Sequence, residues 1–398
     1  MVDNAFVDLT GHNFEYCRSV CWAARSRGLD AEVLVHRQAS PDVLRGLPAR
    51  PVFRHLAYQR FCAWPALRPI LDPILANLGF LWDLSRAMRG CRTPGDLVFL
   101  PNATYRQTFA VAAWLATSRR PRRVVTLFRY TLRRHEEGGG WQPAARLARA
   151  SFRMLEAVSR RHELRLVSDS QRLAEEYAQL TCLPVHVVPI PHAASRGGVV
   201  APPPTLAQDR PARFVMLGEA RDDKGFPLLV EALERLRGPL SRGDLAVTVQ
   251  CHLRDGAQSA SHAARARLEA AGLPGVRLLT EPVDTATYHA LLTESHAVLI
   301  PYRRGHYRSQ TSGILTEALA AARPVVVTSG TWMADQTRAY GAGVCFEEGD
   351  PDDLARAILA VAEDLPSLGA RALAAREDWL TRHTPEKLLE ALLGEVGS

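Results

Sequence analysis

Short runs of β-branched and apolar residues recur along this chain, each followed by a longer stretch in which apolar positions return every three or four residues. Val2 to Leu9 reads as a buried strand, Thr10 to Asn13 as a turn, Phe14 to Arg27 as a helix stopped by Gly28, and Ala31 to His36 as a second strand. The same pattern predicts strands at Asp96 to Leu100, Arg123 to Phe128, Leu164 to Ser168 and Val185 to Pro189, with helices between them. From Arg37 to Gly95 the pattern is broken by Pro41, Pro48, Pro51, Pro65, Pro69 and Pro73. After a proline-rich, aperiodic stretch the alternation resumes, with strands at Arg213 to Leu217, Leu245 to Cys251, Val276 to Leu279, Ala297 to Pro301 and Val325 to Val327. Pro351 to Val396 is helical. Alternation of this kind needs parallel strands joined by right-handed crossovers. The expected architecture is therefore α/β, with two doubly wound, Rossmann-like domains whose parallel sheets face each other across a cleft. Their expected bounds are residues 1–190 and 213–383, joined by a linker over 191–212, with the last helical segment, 384–398, completing the first domain.

A length of 398 residues suits two domains, and 47% hydrophobic with 23% charged residues is the composition of a soluble globular protein. No apolar run reaches the length of a membrane span, and the amino terminus lacks the pattern of a secretory signal. Seven scattered cysteines form no CxxC or Cys/His cluster, so neither a zinc site nor a disulfide framework is expected, and a reducing cytoplasm is the simplest home. The net charge of +7 is concentrated: Thr117 to Arg165 holds thirteen arginines against four glutamates. Such a face suits an anionic acceptor or the inner face of an anionic membrane, unless it is only a solvated helix surface. Nucleic acid is not expected, because no helix-turn-helix, zinc or aromatic-platform signature accompanies the charge.

The chemistry gathers in two loops of the second domain. In YRSQTSGILTEALAAARPVVVT, the polar residues Ser309, Gln310, Thr311, Ser312 and Gly313 run into a helix carrying Glu317. Unpaired N–H groups at a helix start favour a phosphate, and Gly313 lets it approach. Glu317, four residues on and on the same face, would repel phosphates but suits a ribose diol. The second loop, Gly218 to Gly225, follows a strand and brings Arg221 and Lys224 to the rim, as expected around a diphosphate. In the first domain Gly11, His12 and Asn13 follow the first strand, where ligands of doubly wound sheets sit. His12 reads equally as a polar loop residue or as an acceptor-binding or catalytic one. Arg129, at the end of RVVTLF, reads as a contact to a diphosphate or anionic acceptor, or as a structural cation.

The segments RFVMLGEARDDKGFPLLVEAL, HAVLIPYRRG, SGILTEALAAARPVVVT and LVSDSQRLAEEYAQLTCLPVHVVPIPH resemble retaining nucleotide-sugar glycosyltransferases of the family 4 type, with the two-domain GT-B fold. The resemblance covers roughly Leu164 to Glu363 and is only architectural before that. It implies a donor site made of Gly218, Gly225, Tyr302, Ser309, Gln310, Thr311, Ser312, Gly313, Ile314 and Glu317. It also implies catalysis aided by Lys224, Arg221, Arg129 and His12, and an acceptor near Gly11, His12 and Asn13. No metal and no cofactor are implied beyond the nucleotide sugar, which is a substrate; the acceptor would be a glycan or lipid-linked glycan, as in cell-envelope polysaccharide synthesis. The chain departs from the family in three places. Ser309 stands where the first of two paired glutamates is common, Glu219 stands beside the loop glycine where an arginine is usual, and a first-domain histidine is missing near Arg129. These departures keep two alternatives open: a catalytically degenerate scaffold that binds a partner, and a nucleotide-sugar hydrolase or 2-epimerase.

Overall fold

A computed structural model describes the chain except for residues 9–12, 58, 65, 90–95, 134–139, 142–143, 192–210, 254–258 and 396–398. The expected loop residues Gly11 and His12, and nearly all of the expected linker, lie outside the described residues. The chain divides into two compact units, Met1–Ala193 with His383–Ser398, and Ala194–Arg382.

Unit 1 contributes α1 (Asn13–Ser26), β1 (Val33–His36), α2 (Pro41–Gly46), β2 (Ala49–Phe53), α3 (Arg68–Met88), β3 (Leu97–Leu100), α4 (Tyr105–Thr117), β4 (Arg123–Phe128), α5 (Ala144–Ser159), β5 (Glu163–Ser168), α6 (Gln171–Ala178) and β6 (Val185–Val187). Unit 2 follows with β7 (Ala212–Met216), α7 (Phe226–Arg235), α8 (Arg237–Ser241), β8 (Leu245–Gln250), α9 (Ala260–Ala271), β9 (Val276–Leu279), α10 (Thr285–Glu294), β10 (Ala297–Ile300), α11 (Arg304–Tyr307), α12 (Gly313–Ala320), β11 (Val325–Thr328), α13 (Trp332–Tyr340), β12 (Gly343–Phe346), α14 (Pro351–Glu363) and α15 (Leu365–Arg382). The last helix, α16 (Pro385–Leu393), belongs to unit 1.

In unit 1, β3-β4-β5-β6 form one parallel sheet and β1-β2 another. The first three residues join them: Val2 N donates to Phe99 O at 2.8 Å, and Asp3 N to Leu34 O at 3.0 Å. The strand expected from Val2 to Leu9 is thus corrected to a single bridge, Val2 with Leu34. Asp3 ends it, because its carboxylate accepts the Ala5 N–H at 2.9 Å and turns the chain. Alternate strand residues serve opposite faces. Val98, Leu100, Val124, Phe128 and Leu166 share a core with α3, α4, α5 and α6, while Phe99, Val125, Leu127 and Val167 meet α1 and α16.

Three of the prolines that hid residues 37–95 stand where a missing N–H costs little, while Pro73 lies inside α3. Pro41 and Pro69 lie in the first turns of α2 and α3, and Pro51 is in β2, an edge strand.

The six strands of unit 2 are parallel in the order β12-β11-β10-β7-β8-β9. Every residue of β10 and β11 is buried, as helices on both faces require. From β7 the chain moves outward through β8 and β9, then returns to β10 beside β7 and moves outward the other way. Between β7 and β10 lies the topological switch point, where the loops leaving the two strands diverge and a ligand can enter.

Candidate functional site

Both loops singled out in the sequence leave the carboxyl ends of strands beside the switch point. After β7 the backbone turns at Gly218, with φ +98°, and Gly218 N donates to the Gln250 side chain at 2.7 Å. A 3-10 turn at Asp222–Lys224 leads to Gly225, φ +69°, and then α7. A side chain at Gly225 would place its Cβ 1.8 Å from the Pro301 carbonyl oxygen, so glycine is required on both counts. This close approach brings the β7 loop onto the chain leaving β10, and Arg303 N donates to Asp223 O at 2.9 Å.

Between the loops stands Tyr302, buried at the end of β10. The Lys224 ammonium lies 5.6 Å from its ring centroid, within cation–π reach, and a Cβ on Gly218 would be 3.0 Å from that ammonium. Burial pushes the Tyr302 hydroxyl well above its usual range, with Tyr307, Asp223 and Glu317 adding to the effect and Arg221 opposing it. Lys224, on the β7 loop, thus packs against a tyrosine of the chain leaving β10, whose hydroxyl also feels the charge of Glu317.

Ser312 caps α12, its hydroxyl accepting the Leu315 N–H at 3.4 Å. Gly313 and Ile314 open that helix, and Glu317 lies one turn in. The Glu317 carboxylate accepts a hydrogen bond from the Tyr288 hydroxyl on α10, and burial and this carboxylate together raise the tyrosine well above its usual range. Ser309 is buried, whereas Gln310 and Thr311 are half-buried. The loop is anchored from the side by Arg304, which donates to Ser329 O at 2.8 Å and to Glu347 at 2.9 Å.

Arg221, expected on a diphosphate, is forked onto Asp223 at 2.9 and 2.7 Å and reaches the Tyr307 hydroxyl at 3.4 Å. Burial lowers its pKa, but Asp223, Tyr307 and Glu219 raise it by more. Asp222 is used elsewhere: its carboxylate accepts the Ser261 N–H at 2.8 Å and so caps α9. Neither Tyr288 nor Gln250 could be singled out from the sequence. Each lies more than 25 residues from its partner on a different element, and neither belongs to a recognisable motif.

In unit 1, Arg129 leaves β4 at the sheet's carboxyl rim. Its guanidinium lies 3.2 Å from Asp169 and 4.2 Å from the Tyr16 ring centroid. Burial raises the Asp3 carboxyl to about 6, with the Ala5 N–H and Arg129 acting the other way. Arg129 thus ties the amino-terminal residues to α1 and to the end of β5. Asn13 heads α1.

Two Rossmann-like units with this strand order define an α/β protein of the GT-B fold class, and comparison with known proteins agrees. Residues 211–364 match the family model described as Glycosyl transferases group 1, and both loops fall within the match. The whole chain is similar in fold to Anabaena Alr3699/HepE in complex with UDP and glucose, at 13% identity over 99% of this chain and 97% of that one, with a TM-score of 0.68. It is also similar to a glycosyltransferase from Rickettsia africae ESF-5, at 13% identity, 99% and 96% coverage and a TM-score of 0.65. WaaG, a glycosyltransferase involved in lipopolysaccharide biosynthesis, gives 14% identity, 99% and 100% coverage and a TM-score of 0.61. No curated protein matches the sequence.

Proposed function

We propose that this protein transfers a sugar from a nucleotide-sugar donor to a glycan or lipid-linked acceptor, with retention at the anomeric carbon and without a metal ion. The observation that carries the reading is that Lys224, on the loop after β7, stands over the ring of Tyr302, on the chain that leaves β10 and runs on to Glu317 in α12. In this reading the diphosphate lies against Lys224 and the backbone N–H groups at the start of α12, and Glu317 receives the ribose hydroxyls. As the bond from the anomeric carbon to the diphosphate oxygen breaks, negative charge grows on the leaving group, and a cation already in place stabilises it. The acceptor oxygen bonds to that carbon and its proton passes to the departing phosphate, so no protein base is required. Asp222 and Asp223, engaged with Ser261 and Arg221, are not needed as metal ligands. The Anabaena relative, solved with UDP and with UDP-glucose, makes uridine nucleotides the first donors to try.

A ligand that binds only the folded protein raises its melting temperature. We expect a rise with UDP or another nucleoside diphosphate, and transfer from the matching sugar donor that persists in EDTA. Mass spectrometry of acceptor extracts would find the product, and its anomeric configuration reports retention. If no nucleotide shifts the melting temperature, the donor site is sunk. The fork of Arg221 on Asp223 and the serine at 309 favour a second reading, a scaffold without turnover. Nucleotide binding with neither transfer nor hydrolysis would select it.

A further inference from the structure

Half of the fourteen exposed large apolar side chains among the described residues fall between Trp64 and Trp82. Ile70, Ile74, Leu78 and Trp82 recur at every fourth residue of α3 and form one stripe, about 18 Å long at 1.5 Å per residue. Trp64 is 70% exposed and Trp82 59%. α3 buries Phe80, Leu84, Ala87 and Met88 in the core, and its outer face, ordinarily polar, is apolar as well. Asp72, Asn77 and Asp83 face inward and are satisfied: Asp72 accepts the Cys62 N–H at 2.9 Å, Asn77 accepts the Ala110 N–H at 2.9 Å, and Asp83 pairs with Arg54 at 2.9 Å. Between Arg68 and Arg86 the outer face carries no charged side chain, since Asp72 and Asp83 are the only ones in that interval and both are buried.

Cations stand at both ends of the stripe. Arg60 and Arg68 lie beside Trp64, with Arg68 holding that turn through the carbonyls of Cys62 and Ala63 at 2.9 and 3.0 Å. Arg86 and Arg89 lie just beyond Trp82 and are exposed. In the same helix layer, α4 packs between α3 and α5, and α5 exposes Arg146, Arg149 and Arg153. Unit 1 as a whole holds 28 basic against 19 acidic residues, unit 2 holds 21 against 23.

We infer that the outer face of α3 is a membrane seat: the helix lies in the plane of an anionic phospholipid surface, its aliphatic side chains among the acyl chains and its flanking arginines on the headgroups. An apolar face bracketed by arginines and indoles is what an interfacial helix presents, and no helix among the described residues is long and apolar enough to cross the membrane. A second copy of the chain is a poorer occupant. Because both ends of the stripe are basic, parallel and antiparallel pairing alike would set arginine against arginine. The inference bears on where an acceptor is met and stands or falls separately from donor binding.

The test is sedimentation of the full chain with vesicles of phosphatidylcholine, with and without phosphatidylglycerol. Binding is expected to the anionic vesicles, weakening as salt is raised. The exposed-face variant Ile74→Ser/Leu78→Ser/Trp82→Ser should bind at least about 10-fold less, having lost most of the inserted apolar area. Its melting temperature and its response to nucleotides should match the parent. Should that variant fold poorly, the conservative pair Trp64→Phe/Trp82→Phe decides: brominated lipid should quench the parent's tryptophan fluorescence and quench this variant's clearly less. Failure of the parent to bind anionic vesicles, or equal binding by the triple variant, would overturn the seat. So would a concentration-dependent dimer in light scattering that the triple variant abolishes.

Discussion

An ammonium group held between a glycine backbone and an aromatic face is a cation whose position is set before any ligand arrives. Lys224 is such a group, and preorganised charge acts on the transition state more than on the ground state. Lys224→Ala should therefore lower turnover by about 100-fold or more while leaving the melting temperature within a degree or two, because its side chain supports no core. Glu317 is held differently. Tyr288 fixes one carboxylate oxygen, so Tyr288→Phe should weaken nucleotide binding only a few-fold, the value of one hydrogen bond. Glu317→Ala removes both oxygens and should cost roughly 10- to 100-fold in the dissociation constant. Titration calorimetry with the responding nucleotide gives both numbers, and a larger loss at Tyr288 than at Glu317 would contradict the assignment. Asp3 offers a test through pH. Its carboxyl rises from an ordinary 3.8 to about 6 in the fold, so the folded state holds this proton more tightly than the unfolded chain. The stability it contributes is present at pH 4 and is lost as pH rises to about 6. Asp3→Asn, which cannot ionise, should gain on the parent across that interval and run parallel to it above; melting curves at pH 4, 5, 6 and 7 would show it.

A buried arginine with no carboxylate beside it needs another reason to be inside. Arg323 donates to the carbonyls of Leu292 and Thr293, at 3.2 and 2.6 Å, in the last turn of α10. A cation at a helix carboxyl end is favoured by the dipole and satisfies acceptors that have no intrahelical donor. Burial brings its pKa down only to about 10, so it stays charged at neutral pH. Since α10 carries Tyr288, this anchor also sets the group that orients Glu317. Arg323→Ala should cost about 2–4 kcal/mol, leaving the Thr293 carbonyl unpaired and a cavity behind, while the Leu292 carbonyl keeps the Ser295 hydroxyl at 2.9 Å, and it should weaken nucleotide binding no more than Tyr288→Phe does. Urea denaturation together with the same calorimetry measures both. Elements of this kind mark the limit of what the sequence discloses. The strands of unit 2 were legible because β10 and β11 are buried on both faces and read as unbroken apolar runs, and the two loops were legible because glycine, lysine and a carboxylate stand at rim positions. The contacts that complete the site come from Tyr288 and Gln250, which are ordinary residues until the fold sets them beside their partners. In unit 1, α3 escaped detection because it is apolar on both faces and begins with prolines, so no amphipathic period stands out.

Across the whole molecule, the last helix belongs with the first residues of the chain. Leu388 and Leu392 of α16 are buried with Tyr16, Val20, Val125 and Val167, and Leu389 with Ala23 and Ala24. Arg123 donates to Leu393 O at 3.1 Å, and Arg27 pairs with Glu390 at 2.8 Å. The ion pair is partly exposed and contributes little; the three leucines, at about 1.5–3 kcal/mol each, account for most of the stabilisation. A chain stopped after Arg382 would open to water the part of one face of the β3-β4-β5 sheet that α1 does not cover, while removing nothing from the interior of unit 2. We expect its unit 1 to melt at least about 10 °C earlier, since each kilocalorie is worth roughly 2–4 °C in a domain of this size. Amide exchange in β4 and β5 should speed up accordingly, whereas β10 and β11, sealed between helices of their own unit, should exchange as slowly as in the full chain. Equal loss of protection in both units would mean that they unfold as one body, and that the last helix supports more than the sheet it covers.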